Sequence, residues 1–555
     1  MKAHLLCGFV LAMLCMCIHE AVFAGVHVVT TTADTGTGSL RLAIAWAQTP
    51  GPDSIRFAIP KSDPGYDASQ GTWTIRPKTG LWVITDGPLV IDGTSQARFI
   101  GGDPNPHGPE IEISGQDLPV IPIFMILAAE IEIRCLILNR SRFAAVAFQE
   151  VQGGRVSGCY LGTTPRGDAR AGNEYGVWIY DKCRNIKIGG SEDSTNGNLI
   201  SGNQTGVLVT DSCKNILIIG NRVGTNRTGT DTLGNTIAGI AVEGNCDSAR
   251  ISDNLVAGNT EGILISESIH TLIANNAIGT DTLWNRNLAN SYCGIMFDYY
   301  ARDNVAAGNC IGYGSRAGIM VFGAGSVRNR LTRNEISRNE QRGIETSFGA
   351  NNSISPPTIT SVTGTLVSGK AGPGNTVEVF VDDSSQGRDY RGTVAANASG
   401  VFALPFSNPA GLGYVTATAT DSAGNTSEFS VPYRIATVDV RVKTSMPAGF
   451  VLMQNYPNPF NPSTTIGFQV AGFGSQNPGP GEQGFSIKDP ESGTRTVRLS
   501  VYDLLGREVA LLMNEKKDPG NYTVTFDAGG LTSGVYFYRF QAGSFVETKK
   551  LVVLR

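Results

Sequence analysis

The chain has 555 residues, 68 of them glycine, with 17% charged residues and a net charge of −4. That length exceeds one ordinary core, so several domains are expected. No basic patch or run stands out, which argues against a nucleic-acid partner, and beyond the N-terminus no segment approaches the ~18 apolar residues of a membrane span.

Residues 1–24 read as an export signal. Lys2 and His4 precede the apolar run from Leu5 to Ile18, and Val22-Phe23-Ala24 offers a small-residue cleavage site. The run is too short to remain in a bilayer, so the mature chain is expected outside the cell or held on its surface. Cys7, Cys15 and Cys17 leave with the signal. Cys135, Cys159, Cys183, Cys213, Cys246, Cys293 and Cys310 remain, and an odd number leaves at least one thiol unpaired in a monomer.

The mature start, Val26 to Thr32, reads as a strand. Ser39 is a candidate N-cap for a short amphipathic helix ending near Gln48, stopped by Pro50-Gly51-Pro52. Residues 25–60 thus form a cap that shields the apolar end of an array of strands. This block resembles the Thr-rich strand and Gly-Ser-Leu-Arg helix at the start of many bacterial right-handed parallel β-helix proteins. Short strands follow at Trp73–Ile75, Leu81–Ile84, Leu89–Ile91, Ile111–Ile113 and Ile131–Ile133 with irregular spacing, as early coils.

From Tyr175 to Thr346 one phrase recurs: Gly176-Val177-Trp178-Ile179, Gly206-Val207-Leu208-Val209, Gly239-Ile240-Ala241-Val242, Gly262-Ile263-Leu264-Ile265, Gly294-Ile295-Met296-Phe297, Gly318-Ile319-Met320-Val321 and Gly343-Ile344-Glu345-Thr346. The glycines lie 30, 33, 23, 32, 24 and 25 residues apart. Such a period means a stacked array in which each unit buries its apolar side against its neighbours. Asparagines recur at the turns between strand phrases, where their amides can bond above and below while tolerating left-handed backbone. Gly206, Gly262 and Gly318 are 56 residues apart each time, so two coils form a larger unit. Its surplus sits in the insertions beginning at Gly162, Gly224 and Gly279, predicted to protrude as loops on alternate coils.

Residues 25–352 are therefore predicted to form a right-handed parallel β-helix. Residues 356–433 alternate strands with turn residues, as in a small antiparallel sandwich. The phrases Ala371-Gly-Pro-Gly-Asn-Thr-Val377 and Asp421-Ser-Ala-Gly-Asn-Thr-Ser427 make this part resemble bacterial immunoglobulin-like modules. The phrases Asn455-Tyr-Pro-Asn-Pro-Phe-Asn-Pro462, Val501-Tyr-Asp-Leu-Leu-Gly-Arg507, Leu531-Thr-Ser-Gly-Val-Tyr-Phe537 and Lys549-Lys-Leu-Val-Val-Leu-Arg555 make residues 446–555 closely resemble the type IX secretion C-terminal sorting domain of type A. That resemblance implies delivery across the outer membrane by the type IX machinery, with the domain then removed. The insertion at 471–494 departs from the compact pattern and is expected in a loop. The whole is all-β.

Chemistry is less legible. Acids follow the glycine strands at Asp181, Asp211, Glu243, Glu267 and Asp298. Asp181 and Asp211 share one offset and could stack to share a cation or a sugar, or be solvated turn acids. Ca²⁺ is the one cation this leaves open, and no C-x-x-C pair supports zinc. Cys183, Cys213 and Cys246 also share an offset and are expected to stack as small buried side chains. If Val177 and Ile179 point inward, alternation turns Trp178, Leu208, Ala241, Leu264, Met296 and Met320 outward as an apolar stripe, unless loops cover it. Trp178, Tyr180, Phe297, Tyr299, Tyr300 and Phe322 are the aromatic candidates for stacking on sugar rings. The leading expectation is a secreted surface protein that binds polysaccharide or mediates adhesion through this face. A polysaccharide lyase, glycoside hydrolase or epimerase on the same face is the alternative, and a structural spacer the third.

Overall fold

The computed structural model describes residues 25–48, 51–190, 197–281, 283–363, 365–406, 413–435, 450–470, 495–518, 520–543 and 545–554. The expected export signal and the 471–494 insertion lie outside them. The chain falls into two compact units divided after Ile435.

The first unit is dominated by a right-handed parallel β-helix. Among the described residues, three parallel sheets of 11, 11 and 9 strands run along it, apart from one antiparallel pair, Tyr66–Asp67 with Thr72–Ile75. The first sheet starts at Val26–Val29, the second at Tyr66–Asp67 and the third at Phe124–Ile126. In each regular coil the chain passes from the third sheet to the first and then the second. The glycine phrases form the third sheet, in register: Val177 pairs with Val207, Val207 with Ile240, Ile240 with Ile263, and Ile263 with Ile295. Its inward positions are sealed, with Val177, Ile179, Val207, Ile240, Ile263, Ile295 and Ile319 fully buried. The glycine is required by close approach: a Cβ on Gly206 would lie 2.4 Å from the carbonyl oxygen of Gly239, and one on Gly262 2.4 Å from that of Gly294.

Two asparagine ladders bind the coils. In one, Asn198, Asn221, Asn254, Asn276, Asn309 and Asn334 each donate Nδ2 to the Oδ1 of the next at 2.8–3.0 Å. In the other, Asn173, Asn203, Asn235, Asn259 and Asn290 do the same at 2.9–3.2 Å. These amides are buried, so each link satisfies polar groups that would otherwise cost ~1–3 kcal/mol.

Helix Leu40–Trp46 closes the N-terminal end. Ser39 Oγ accepts from Leu42 N, and Leu40, Ala43 and Ile44 are buried. A second short helix, Ser95–Ile100, was not expected; its Gln96 Oε1 accepts from Ile59 N. Leu81–Ile84 does not form the expected strand. Only Ile84 bridges to Ile126, and Trp82 faces solvent. The predicted insertions emerge after alternate strands of the second sheet, and two of them are closed by antiparallel bridges, Thr163–Arg170 and Thr225–Thr232.

After the last coil strand, Arg342–Ser347, comes a two-sheet sandwich. Its strands are Thr358–Val362, Leu366–Lys370 and Val401–Pro405 in one sheet, and Thr376–Asp382, Asp389–Ala395, Tyr414–Thr420 and Tyr433–Arg434 in the other. It covers the solenoid's C-terminal edge. Gln386 Oε1 accepts from Asn339 N at 2.8 Å, Thr426 Oγ1 from Leu331 N at 2.9 Å, and Glu378 Oε2 from Arg333 N at 2.8 Å.

The second unit is another sandwich, with sheets Val451–Leu452, Ser463–Val470, Gly520–Asp527 and Arg495–Tyr502, Glu508–Lys517, Gly534–Ala542, Phe545–Val553. Its proline-rich entry is pinned from both sides: Asn455 N donates to Tyr538 Oη, Asn458 Oδ1 accepts from Val552 N, and Phe460 is buried. Among the described residues no helix is long and apolar enough to cross a membrane.

Candidate functional site

Alternation along the third sheet assigns its outward residues. Row by row the central column reads Trp178, Leu208, Ala241, Leu264, Met296 and Met320, as register requires. Only part of it is open: Trp178, Leu208, Leu264 and Met296 are half-buried, whereas Ala241 and Met320 are buried. Tyr292 Oη reaches Met320 Sδ, and Arg316 beside it is held bidentately by Glu345 at 2.7 and 2.9 Å.

Phe297 is corrected. It occupies the fourth position of its phrase, in register with Ile265 and Val321, and is fully buried. It belongs to the core and cannot meet a ligand. Trp178 is also limited: its ring stacks on Tyr180 at 3.9 Å and 12° and on Tyr175 at 5.7 Å and 27°. Phe143 meets it at 5.3 Å and 87°, and its Nε1 is buried, so little of the indole is left for a ligand.

More exposed aromatic rings stand elsewhere. Tyr299 and Tyr300 are 68% and 65% exposed at the turn after Cys293–Asp298. Phe322 is half-buried and packs on Phe348, which is 74% exposed one coil on. Tyr299, Tyr300 and Phe348 all have positive φ, of 39°, 67° and 56°. Other coils fill this turn with Asp181-Lys182, Asp211-Ser212 or Gly244-Asn245, residues that suit left-handed backbone better than bulky rings do. Backbone held in an unfavourable region to display side chains is a common mark of a working site.

The acids separate into two groups. Asp181 and Asp211 lie in left-handed turns of adjacent coils, linked through the backbone, with Lys182 N donating to Asp211 O at 2.8 Å. Asp181 accepts from Gln149 Nε2 and sits 3.7 Å from Lys182 Nζ. Glu243, Glu267 and Asp298 instead crowd together with Glu261, and none of the four forms an ion pair among the described residues. Burial raises the Glu243 carboxyl, helped by Asp298 and Glu267. Burial, then Asp298 and Glu243, raises Glu261. Burial likewise raises Asp298; a Ser266 hydrogen bond opposes this and Glu267 adds to it. Asp298 is 6% exposed, and its Oδ1 has no hydrogen-bond partner. Sequence reading missed Glu261 because it precedes its glycine and two-residue alternation from the buried Ile263 would turn it inward. It missed Phe348 for want of a phrase around it.

The cysteine stack is interior. Cys183, Cys213 and Cys246 are buried and free, Cys183 Sγ donating to Tyr180 O and Cys213 Sγ to Thr210 O. Hydrogen-bonded to the neighbouring thiols of Cys183 and Cys246 and buried, Cys213 is raised well above the usual thiol range. Ala301 fills the same offset two coils further on.

Comparisons with known proteins agree with this architecture. Residues 454–554 match the secretion system C-terminal sorting domain, 355–434 the bacterial Ig domain, and 144–280 and 225–364 the periplasmic copper-binding protein NosD. No curated protein matches the chain. Among solved structures it is similar to a mutant of the periplasmic alginate epimerase AlgG at 15% identity, over 54% of this chain and 65% of that one, TM-score 0.34. It thus spans just under two thirds of that epimerase. It is also similar to the Azotobacter vinelandii mannuronan C-5 epimerase AlgE6 A-module (13% identity, 58% and 98% covered, TM-score 0.30) and to an alginate lyase from Paenibacillus sp. str. FPU-7 (11%, 58% and 98%, 0.30). The chain is a parallel β-helix protein followed by a bacterial Ig-like domain. Its type IX sorting domain directs it across the outer membrane to a surface or extracellular location.

The residues present do not fit the copper in the NosD description. Among the described residues no group of three or more His, Cys, Asp or Glu is arranged to hold a metal ion. His27 and His270 each face one aspartate, Asp53 and Asp247.

Proposed function

We propose that the protein binds polysaccharide at the cell surface through the outer face and adjoining turn of the third sheet, from Glu243 to Phe348. The carrying observation is the pair Tyr299-Tyr300, exposed and held at positive φ directly after the buried Asp298, whose Oδ1 has no hydrogen-bond partner. Aromatic faces stack on the apolar side of a sugar ring, and adjacent carboxylates accept from its hydroxyls. Coils of a parallel stack lie ~4.8 Å apart, so Tyr299-Tyr300 and Phe348, two coils on, are set along one line, which suits a linear chain.

A second reading has its own support. Glu243, Glu261 and Asp298 all have raised carboxyls, and a carboxyl kept protonated by its surroundings is what general-acid cleavage of a glycan needs. Glycan-array binding by the full chain separates the two. Binding without turnover, weakened about tenfold in Tyr299→Ala/Tyr300→Ala, is the expected result. Release of reducing ends or unsaturated sugars that disappears in Asp298→Asn would replace binding with catalysis. Array binding untouched by the double tyrosine variant would remove this face from consideration.

A further inference from the structure

The first sheet carries a different constellation on its outer face, in the early coils. Val28, Arg56, Asp92 and Arg134 are successive partners in register, and Glu132, Arg155 and Lys187 form the neighbouring row. Asp92 ties down two of these cations. Arg134 reaches it through Nε and Nη2 at 3.0 Å each, and Arg98 through Nη2 at 2.5 Å. Glu132 lies 3.8 Å from Arg134. Arg155 is treated differently. It has no ion pair or hydrogen bond among the described residues, and its Nε is buried without an acceptor.

Arg155 lines a cleft of about 290 Å³ with Thr94, Arg98, Glu132, Arg134, Cys135 and Ser157. Arg98 and Arg134 also line a neighbouring cavity of about 610 Å³ that extends to Arg56 and Val26. Across both, four cations (Arg56, Arg98, Arg134 and Arg155) stand against two carboxylates, Asp92 and Glu132. A buried guanidinium nitrogen lacking an acceptor is costly. The planar fork of arginine, pre-set by neighbours, matches a two-oxygen anion.

We infer that this cleft is a binding site for an oxyanion group of a glycan, a uronate carboxylate or a sulfate ester, received by the unpartnered guanidinium of Arg155 with Arg98 and Arg134 flanking it. The site is separate from the acid-lined face of the third sheet, and it stands or falls without the function proposed there. Arg98 and Arg134, braced on Asp92, supply charge at fixed positions, and the Ser157 hydroxyl in the cleft wall can donate to a remaining oxygen.

The test is calorimetric titration of the full chain with three tetrasaccharides: one of galacturonate, one of sulfated galactose and one of neutral galactose. Binding of at least one anionic probe is expected, weakened about tenfold to a hundredfold in Arg155→Ala. Arg155→Lys, which keeps the charge and loses the fork, should fall between. Affinity should drop as salt rises, and the anionic probe preferred tells carboxylate from sulfate. Unfolding temperatures of both variants report whether the fold is intact, and Tyr299→Ala/Tyr300→Ala should leave this binding unchanged. The inference is overturned if neither anionic probe binds, if the neutral one binds equally well, or if Arg155→Ala and Arg155→Lys bind as the unaltered chain does.

Discussion

Asp92 and Asp298 sit on two sheets of one solenoid, 3% and 6% exposed, and they titrate in opposite directions. Burial pushes Asp92 up, but hydrogen bonds from Arg134 and Thr94 and the charge of Arg134 outweigh it and hold the group at about 2. Asp298 has only Ser266 to offset burial, and Glu267 adds repulsion. One carboxylate is a keystone between arginines, whereas the other sits where its surroundings disfavour the charged form. Burial does not distinguish a structural acid from a candidate working acid; the partners do.

The largest test of this contrast concerns the platform beneath Asp298. Phe297→Ala should cost about 3–5 kcal/mol in denaturant unfolding, because it empties a sealed position in the stack. A loss below about 1 kcal/mol would mean that the ring is not core and that Asp298 has no rigid base. Next, Asp92→Ala should cost about 2 kcal/mol at neutral pH, a figure reduced for the solvent exposure of Arg98 and Arg134. Because the folded-state value is depressed, this contribution is present above about pH 4 and is lost as pH falls through about 2. Thermal melts across that window should therefore be flatter in the variant. Asp298→Asn should have the opposite sign, neutral or stabilising by up to about 1 kcal/mol at pH 7. A raised carboxyl adds stability as pH falls, so the unaltered chain should gain stability on mild acidification and Asp298→Asn should gain less. The remaining rise is shared by Glu110, which burial pushes up to about 7, and by Glu243, Glu261, Glu335 and Asp382, which burial also raises. If Asp298→Asn instead melts several degrees lower at pH 7, Asp298 is a second keystone and the contrast fails. The smallest effect is at Tyr300→Ala, within about 0.5 kcal/mol of the unaltered stability, as a group displayed for a ligand should be.

Much of the fold was legible because the repeat is enforced by contacts that recur. The glycine of each phrase touches the next coil's carbonyl, and each ladder asparagine needs another above it, so both leave a period in the sequence. The cysteine stack was readable for the same reason. The early coils were less so: Leu81–Ile84 has strand composition without a paired neighbour along its length, and helix Ser95–Ile100 has no apolar rhythm to announce it. The site was read only in part, since outward positions are free to vary. Phe297 looked like a ligand aromatic by composition, yet two-residue alternation from Ile295 already turned it inward. Glu261 was overlooked because the same rule would turn it inward. Arg155 left no trace in sequence, because its distinction is the acceptor it lacks.

The Asn339–Gln386 contact sets how this molecule could change in size. The terminal sandwich offers the solenoid edge the amide that another coil's asparagine would have offered. It therefore does not depend on how many coils precede it. Duplicating one 56-residue unit would preserve both ladders, the glycine column and this joint, and lengthen the rod by about 10 Å. Length is a quantised, heritable property here, adjustable by whole units without redesigning either end.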